Sequence, residues 1–216
     1  MIPCHGPSRF QRTFLLEINI ARQLVSAADA VLGSDNGGSE RAKLSIALAH
    51  IAHEHIEVIF HLFENGWFSS GYALMRPAIE TTYKCIWITT VADDVKVSGA
   101  CKGRDVYGDL KTVIKEIETA FDPIGWGGIF AKVRPSLRLL HERTHSGGDQ
   151  ILRRMTADDT RAMRMPEYDG NQLISDIRTL AGMALLATFP TAKPEDIEQL
   201  NALLLSNYSY LPHLPS

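Results

Sequence analysis

Arg134, Arg138, His141 and His145 recur at spacings of four, three and four. At ~100° per residue this puts them within about 60° of each other on one side of an α-helix. Two guanidiniums and two imidazoles on one ridge make a row of hydrogen-bond donors suited to a phosphate or carboxylate. Imidazoles also move protons near neutral pH. His145 falls near the expected end of its helix, where backbone carbonyls favour the protonated ring. A neutral imidazole there could take a proton from a ribose 2′-hydroxyl while an arginine steadies the charge developing on phosphate. The ridge borders an apolar stripe of Ile129, Phe130, Val133, Leu137 and Leu140. The same four residues therefore also read as the polar fringe of an amphipathic helix.

A second constellation is Arg76-Pro77-Ala78-Ile79-Glu80. Arg76 and Glu80 are four apart and share a helical face with Tyr72, Ile79, Tyr83 and Trp87, so an ion pair set in an aromatic stripe is expected. It reads either as a clamp between helices or as a site wall in which Glu80 orients a residue of the ridge. Pro77 should kink the helix by removing a backbone donor. A third lies at His50, Glu54, Glu57 and His61, on a sector opposite the apolar stripe of its helix, with His53 and Glu64 at the edge. Helical His and Glu at such offsets can ligate a metal, although neither HExxH nor Glu-x-x-His occurs in the helix. A solvated His/Glu face is the other reading. His55 sits on the apolar stripe and reads as a core histidine. The chain has no phosphate-binding loop, no GxSxG and no zinc-type Cys/His spacing, so no cofactor is expected.

The elements that must hold these residues are helices, because apolar residues recur at three and four almost everywhere. A first helix is predicted from about Ser8 to Leu32, with Phe14, Leu15, Ile18, Leu24 and Val25 on its core side. Gly33-Ser34-Asp35-Asn36-Gly37-Gly38 ends it and Ser39 should cap the next. That second helix runs to about Glu64, with Leu44, Leu48, Ile51, His55, Val58 and Leu62 forming its stripe. A third runs from about Trp67 into the low nineties. Its tail, Cys85 to Val91, has strand-like composition but an unbroken helical period. Residues 93–109 hold three glycines and read as a loop. Leu110 to Phe121 is a short helix ended by Asp122-Pro123, and Ile129 to His145 is helical. A short helix is expected near Ile151–Met155, Asn171 to Phe189 is helical with Leu173, Ile177, Leu180, Ala184 and Leu185 inward, and Pro194 to Tyr208 closes the series. The expected architecture is all-α: one helical domain over 1–216, with a flexible arm at 1–8, an extended tail at 209–216 and six to seven helices in a bundle.

Bulk composition narrows the partners. The 216 residues are 45% hydrophobic with a formal net charge of −3, which argues against coating nucleic acid by overall charge. The distribution is less even: Arg134 to Arg164 contains seven arginines against Glu142, Asp149, Asp158 and Asp159, so an anionic partner should meet the protein there. Cys4, Cys85 and Cys101 form no CxxC pair, the N-terminus lacks a signal-peptide pattern, and no apolar run approaches the ~20 residues of a membrane span. A cytoplasmic, membrane-free protein is expected.

Leu74-x-Arg76-Pro77-x-x-Glu80, followed downstream by Thr144-His145-Ser146-Gly147-Gly148 after an Arg/Leu-rich helix, resembles a family of uncharacterised bacterial all-helical proteins. That family is similar in turn to HEPN-type domains (higher eukaryote and prokaryote nucleotide-binding). The likeness spans roughly residues 40–190. It implies a four- or five-helix core, frequent homodimers and an Arg-x4–6-His element that often cuts RNA without a metal in toxin–antitoxin and phage-defence systems. Residue by residue, Arg138 matches the motif arginine, His145 its histidine and Glu80 an acid from a neighbouring helix; beside them Arg134, His141, Arg76 and Tyr83 are read as binding supports. The implied partners are RNA or a nucleotide, a second copy of the chain and an antitoxin-type protein. Two other functions stay open on the residues alone. One is a non-catalytic interaction protein and the other a metal-binding bundle using His50, Glu54, Glu57 and His61.

Overall fold

Two long helices, α2 (Glu40–Glu64) and α3 (Phe68–Thr90), form the most extensive contact among the described residues. A computed structural model describes residues 9–32, 38–124 and 170–207. In chain order it contains α1 (Arg9–Val31), α2, α3, α4 (Asp94–Cys101), α5 (Leu110–Phe121), α6 (Gly170–Thr188) and α7 (Pro194–Asn207), with no strand among the described residues. The protein is an all-α, single-domain bundle. Helix α1 lies along α6 and α2, α5 covers α3, and α7 crosses α1.

Local chemistry explains the boundaries. Ser39 Oγ accepts from the Ala42 amide at 3.3 Å and opens α2 as an N-cap. Asn65 and Gly66 close it, with Gly66 at φ 75° and the Trp67 amide donating back to the Leu62 carbonyl at 2.8 Å. The strand-like stretch Cys85 to Thr90 is helical, as its period implies. There the hydroxyls of Thr89 and Thr90 donate to the carbonyls of Cys85 and Ile86, both at 2.7 Å.

Three sequence expectations are corrected. Residues 93–109 are not all loop, since Asp93 caps α4 by accepting from the Lys96 amide at 2.8 Å. Its glycine content hid a helix of only eight residues. On α1, Leu15 points outward, and Ala21 and Ala28 complete the buried face with Phe14, Ile18, Leu24 and Val25. On α2 the buried face is Ser45, Ala49, Ala52, His53, Ile56, Ile59, Phe60 and Phe63, not the stripe from Leu44 to Leu62. Ile51 and Val58 of that stripe are 43% and 42% exposed. The small residues mark where α2 meets its neighbours most closely, and that closeness carries more weight than side-chain size. Gly71 makes the same point on α3, because a Cβ there would lie 2.4 Å from the Phe63 ring.

Candidate functional site

The Arg76/Glu80 constellation is assembled on α3, which carries Pro77 within it. Arg76 Nε donates to Glu80 Oε1 at 2.7 Å, and each side chain is 29% exposed. The i,i+4 spacing aligns the fork with the carboxylate. The neighbours Tyr72, Ile79, Tyr83 and Trp87 are buried, and the ion pair lies at the edge of the bundle. Burial, and then the charge of Glu118, push the Tyr83 hydroxyl well above the ordinary phenol range. Tyr83 therefore stays a neutral phenol at physiological pH. Trp87 Nε1 donates to Glu116 Oε2 at 2.5 Å, tying α3 to α5. Tyr72 Oη donates to Asp176 Oδ2 at 2.7 Å, tying α3 to α6. Arg134, Arg138, His141 and His145 lie outside the described residues.

The His/Glu face of α2 is divided among separate partners. Glu57 and Glu64 both hold Arg22 of α1, at 3.2 and 2.6 Å. His50 Nδ1 bonds Asp29 Oδ1 at 2.9 Å, while Glu54 and His61 are exposed. Among the described residues no group of three or more His, Cys, Asp or Glu side chains gathers as metal ligands would.

The core histidine of α2 is His53, where the sequence reading pointed to His55. His53 is 3% exposed. Its Nδ1 bonds Asp29 Oδ1 at 3.1 Å, and its Nε2 lies 3.1 Å from both the Ala184 carbonyl and Thr188 Oγ1. Carboxylate, imidazole and hydroxyl are thus in line, the order used to activate a nucleophile. Thr188 is fully buried and donates its proton to the Ala184 carbonyl at 3.0 Å. A hydroxyl without access to substrate cannot attack one, so the chain acts as a brace across α1, α2 and α6. Burial works to raise the Asp29 carboxyl, but the hydrogen bonds and charges of His53 and His50 outweigh it and hold it below the ordinary range. No sequence spacing pairs Asp29 with His53. The visible signal was the His50/His53 pair at i,i+3, beside an aspartate ending the preceding helix.

A helical bundle with an ion pair at its margin and an internally braced histidine defines a class of architecture. Within that class, residues 49–202 match a family of unknown function, DUF6988, and the chain belongs to that family. No curated protein and no solved structure matches it.

Proposed function

We propose that this protein is a HEPN-like helical protein that binds RNA or a nucleotide through Arg138 and His145 and cuts RNA without a metal. Arg138 is the phosphate clamp, His145 the proton-transfer group, and Arg134, His141, Arg76, Glu80 and Tyr83 are supports. In the cleavage step His145 removes the proton of the ribose 2′-hydroxyl and the 2′ oxygen bonds to phosphorus. The bond to the 5′ oxygen then breaks, a proton passes to that oxygen, and a 2′,3′-cyclic phosphate remains. Arg138 offsets the charge that collects on the phosphoryl oxygens.

The observation that supports this reading is the Arg76–Glu80 pair, a part-buried carboxylate at the bundle edge on the residue that the HEPN resemblance matches to an acid from a neighbouring helix. The all-helical bundle supports it at the level of architecture. End-labelled RNA incubated in EDTA with wild-type protein, His145→Ala and Glu80→Gln tests it. The reading expects cleavage by the wild type, its loss in His145→Ala and a partial loss in Glu80→Gln. Equal cleavage by wild type and His145→Ala, or none by either, overturns the nuclease step.

A second reading, an interaction protein that pairs with its own copy, is favoured by the outward face of α2. Ile51 and Val58 stand exposed there, with Glu54 and His55 between them. Antiparallel pairing about an axis midway between Ile51 and Val58 sets Glu54 of one copy against His55 of the other, so the face is complementary to itself.

A further inference from the structure

A cavity of about 900 Å³ opens where the end of α1, the start of α2 and α7 meet. Its size lies toward the top of the ~300–1,000 Å³ common for small-molecule sites. The aliphatic part of the lining comes from Val31, Ile46, Leu200 and Leu203. No aromatic ring lines it among the described residues. That lining is a poor match for a nucleobase, which is usually held by stacking.

The polar part of the lining carries both signs. Arg41 lines the cavity and is fixed by donating to the Ile88 carbonyl and, at 2.8 Å, to Asp94 Oδ1. Lys193 and Asp196 also line the cavity, at the start of α7. Among the described residues neither makes an ion pair, with the other or with a third group. Thr191 and Gln199 add neutral donors and acceptors beside them. A ligand matched to this lining needs an anionic end for Lys193 and Arg41, a cationic end for Asp196, amides for Gln199 and Thr191, and aliphatic groups for Val31, Ile46, Leu200 and Leu203.

We infer that the cavity binds a short zwitterionic peptide with aliphatic side chains. The carboxylate lies toward Lys193 and Arg41, the ammonium toward Asp196, and the side chains against Val31, Ile46, Leu200 and Leu203. The inference does not rest on the Arg138/His145 reading.

Calorimetric titration of the full chain with Leu-Ala-Leu tests the inference, with the N-acetylated, C-amidated form of the same tripeptide as comparison. Saturable binding of the free tripeptide is expected, weakened in the blocked form. Because the charged groups stand near solvent, Lys193→Ala and Asp196→Asn should each weaken it by roughly three- to fivefold. Ala30→Trp places a ring at an exposed lining position and should abolish binding while circular dichroism shows native helicity. Absence of saturable binding at millimolar free tripeptide overturns the proposal. So does blocked peptide that binds equally well, or unchanged binding in folded Ala30→Trp. If Ala30→Trp does not fold, unchanged affinity in the two charge variants overturns it on its own.

Discussion

Asp29 serves two histidines with one carboxylate oxygen, and this fixes how the molecule should respond to acid. Its carboxyl is held below the usual value of 3.8, since the bonds and charges from His53 and His50 outweigh burial. A depressed carboxyl contributes stability that is fully present above its unfolded pKa and is lost as pH falls through the folded one. Asp29→Asn keeps an acceptor but removes the charge. The thermal midpoint of the variant should therefore lie below that of the wild type at neutral pH, by about 2–4 °C for a contribution near 1 kcal/mol at this half-exposed group. The gap should close as pH drops below about 4. Melts followed by circular dichroism at about pH 7 and about pH 3 measure it, and a gap that widens in acid contradicts the brace. Cys85 illustrates the opposite environment. Burial pushes its thiol up to about 12 against a smaller lowering from Thr89, and the side chain donates to carbonyls of α2 and of α6. It is a small core group and not a nucleophile.

Among the elements, α2 does the most and was the hardest to read. It buries one face against α3, α6 and α1 and leaves Ile51 and Val58 outward. If that face pairs two copies, wild-type protein at micromolar concentration should sediment at twice the 24.0 kDa chain mass. Ile51→Glu with Val58→Glu should then sediment as the single chain with unchanged helicity. A wild-type monomer contradicts the pairing. The helices themselves were legible because apolar period and caps agree: Ser39 opens α2, Asn65-Gly66 closes it, and the inward set of α6 is Leu173, Ile177, Leu180, Ala184 and Leu185 as expected. The inward face of α2 was not legible, because the helix carries large apolar residues on both sides. Only the alanines and Ser45 mark the side of closest approach. For the same reason the sequence points to His55 as the core histidine, whereas His53 lies on the alanine side. Helix α4 is obscured by Gly99 within it and by Gly103 and Gly108 beyond it, although Asp93 three residues before Lys96 is a capping signal that reveals it.

At the scale of the whole molecule, ion pairs and hydrogen bonds connect helices distant in sequence. Arg178 of α6 grips Glu17 of α1 through both carboxylate oxygens, one contact at 2.9 Å. Tyr72 reaches Asp176, and Trp87 reaches Glu116. Such bonds hold a rigid frame around an apolar core that runs from Phe14 through Phe63, Phe68 and Tyr72, whose rings meet at 5.2 to 6.1 Å. Among the described residues no helix is long and apolar enough to cross a membrane. The frame supplies Glu80 at its margin, while the ridge at 134–145 supplies the charge for an anionic partner in the proposed function. Of the candidate site, Arg76 and Glu80 were legible as a pair because four residues on a helix fix their separation. The depth of Tyr83 was set by α5, whose packing no local spacing encodes.

The most direct measurement is fluorescence anisotropy of labelled single-stranded RNA titrated with the full chain in EDTA, over a series of salt concentrations. The proposed function predicts saturable binding whose affinity falls with salt. It predicts that Arg138→Ala weakens that binding and lowers the salt slope by about one ion. Absence of saturable binding at low salt, or an Arg138→Ala titration superimposable on the wild type, would contradict the assignment of the ridge to RNA.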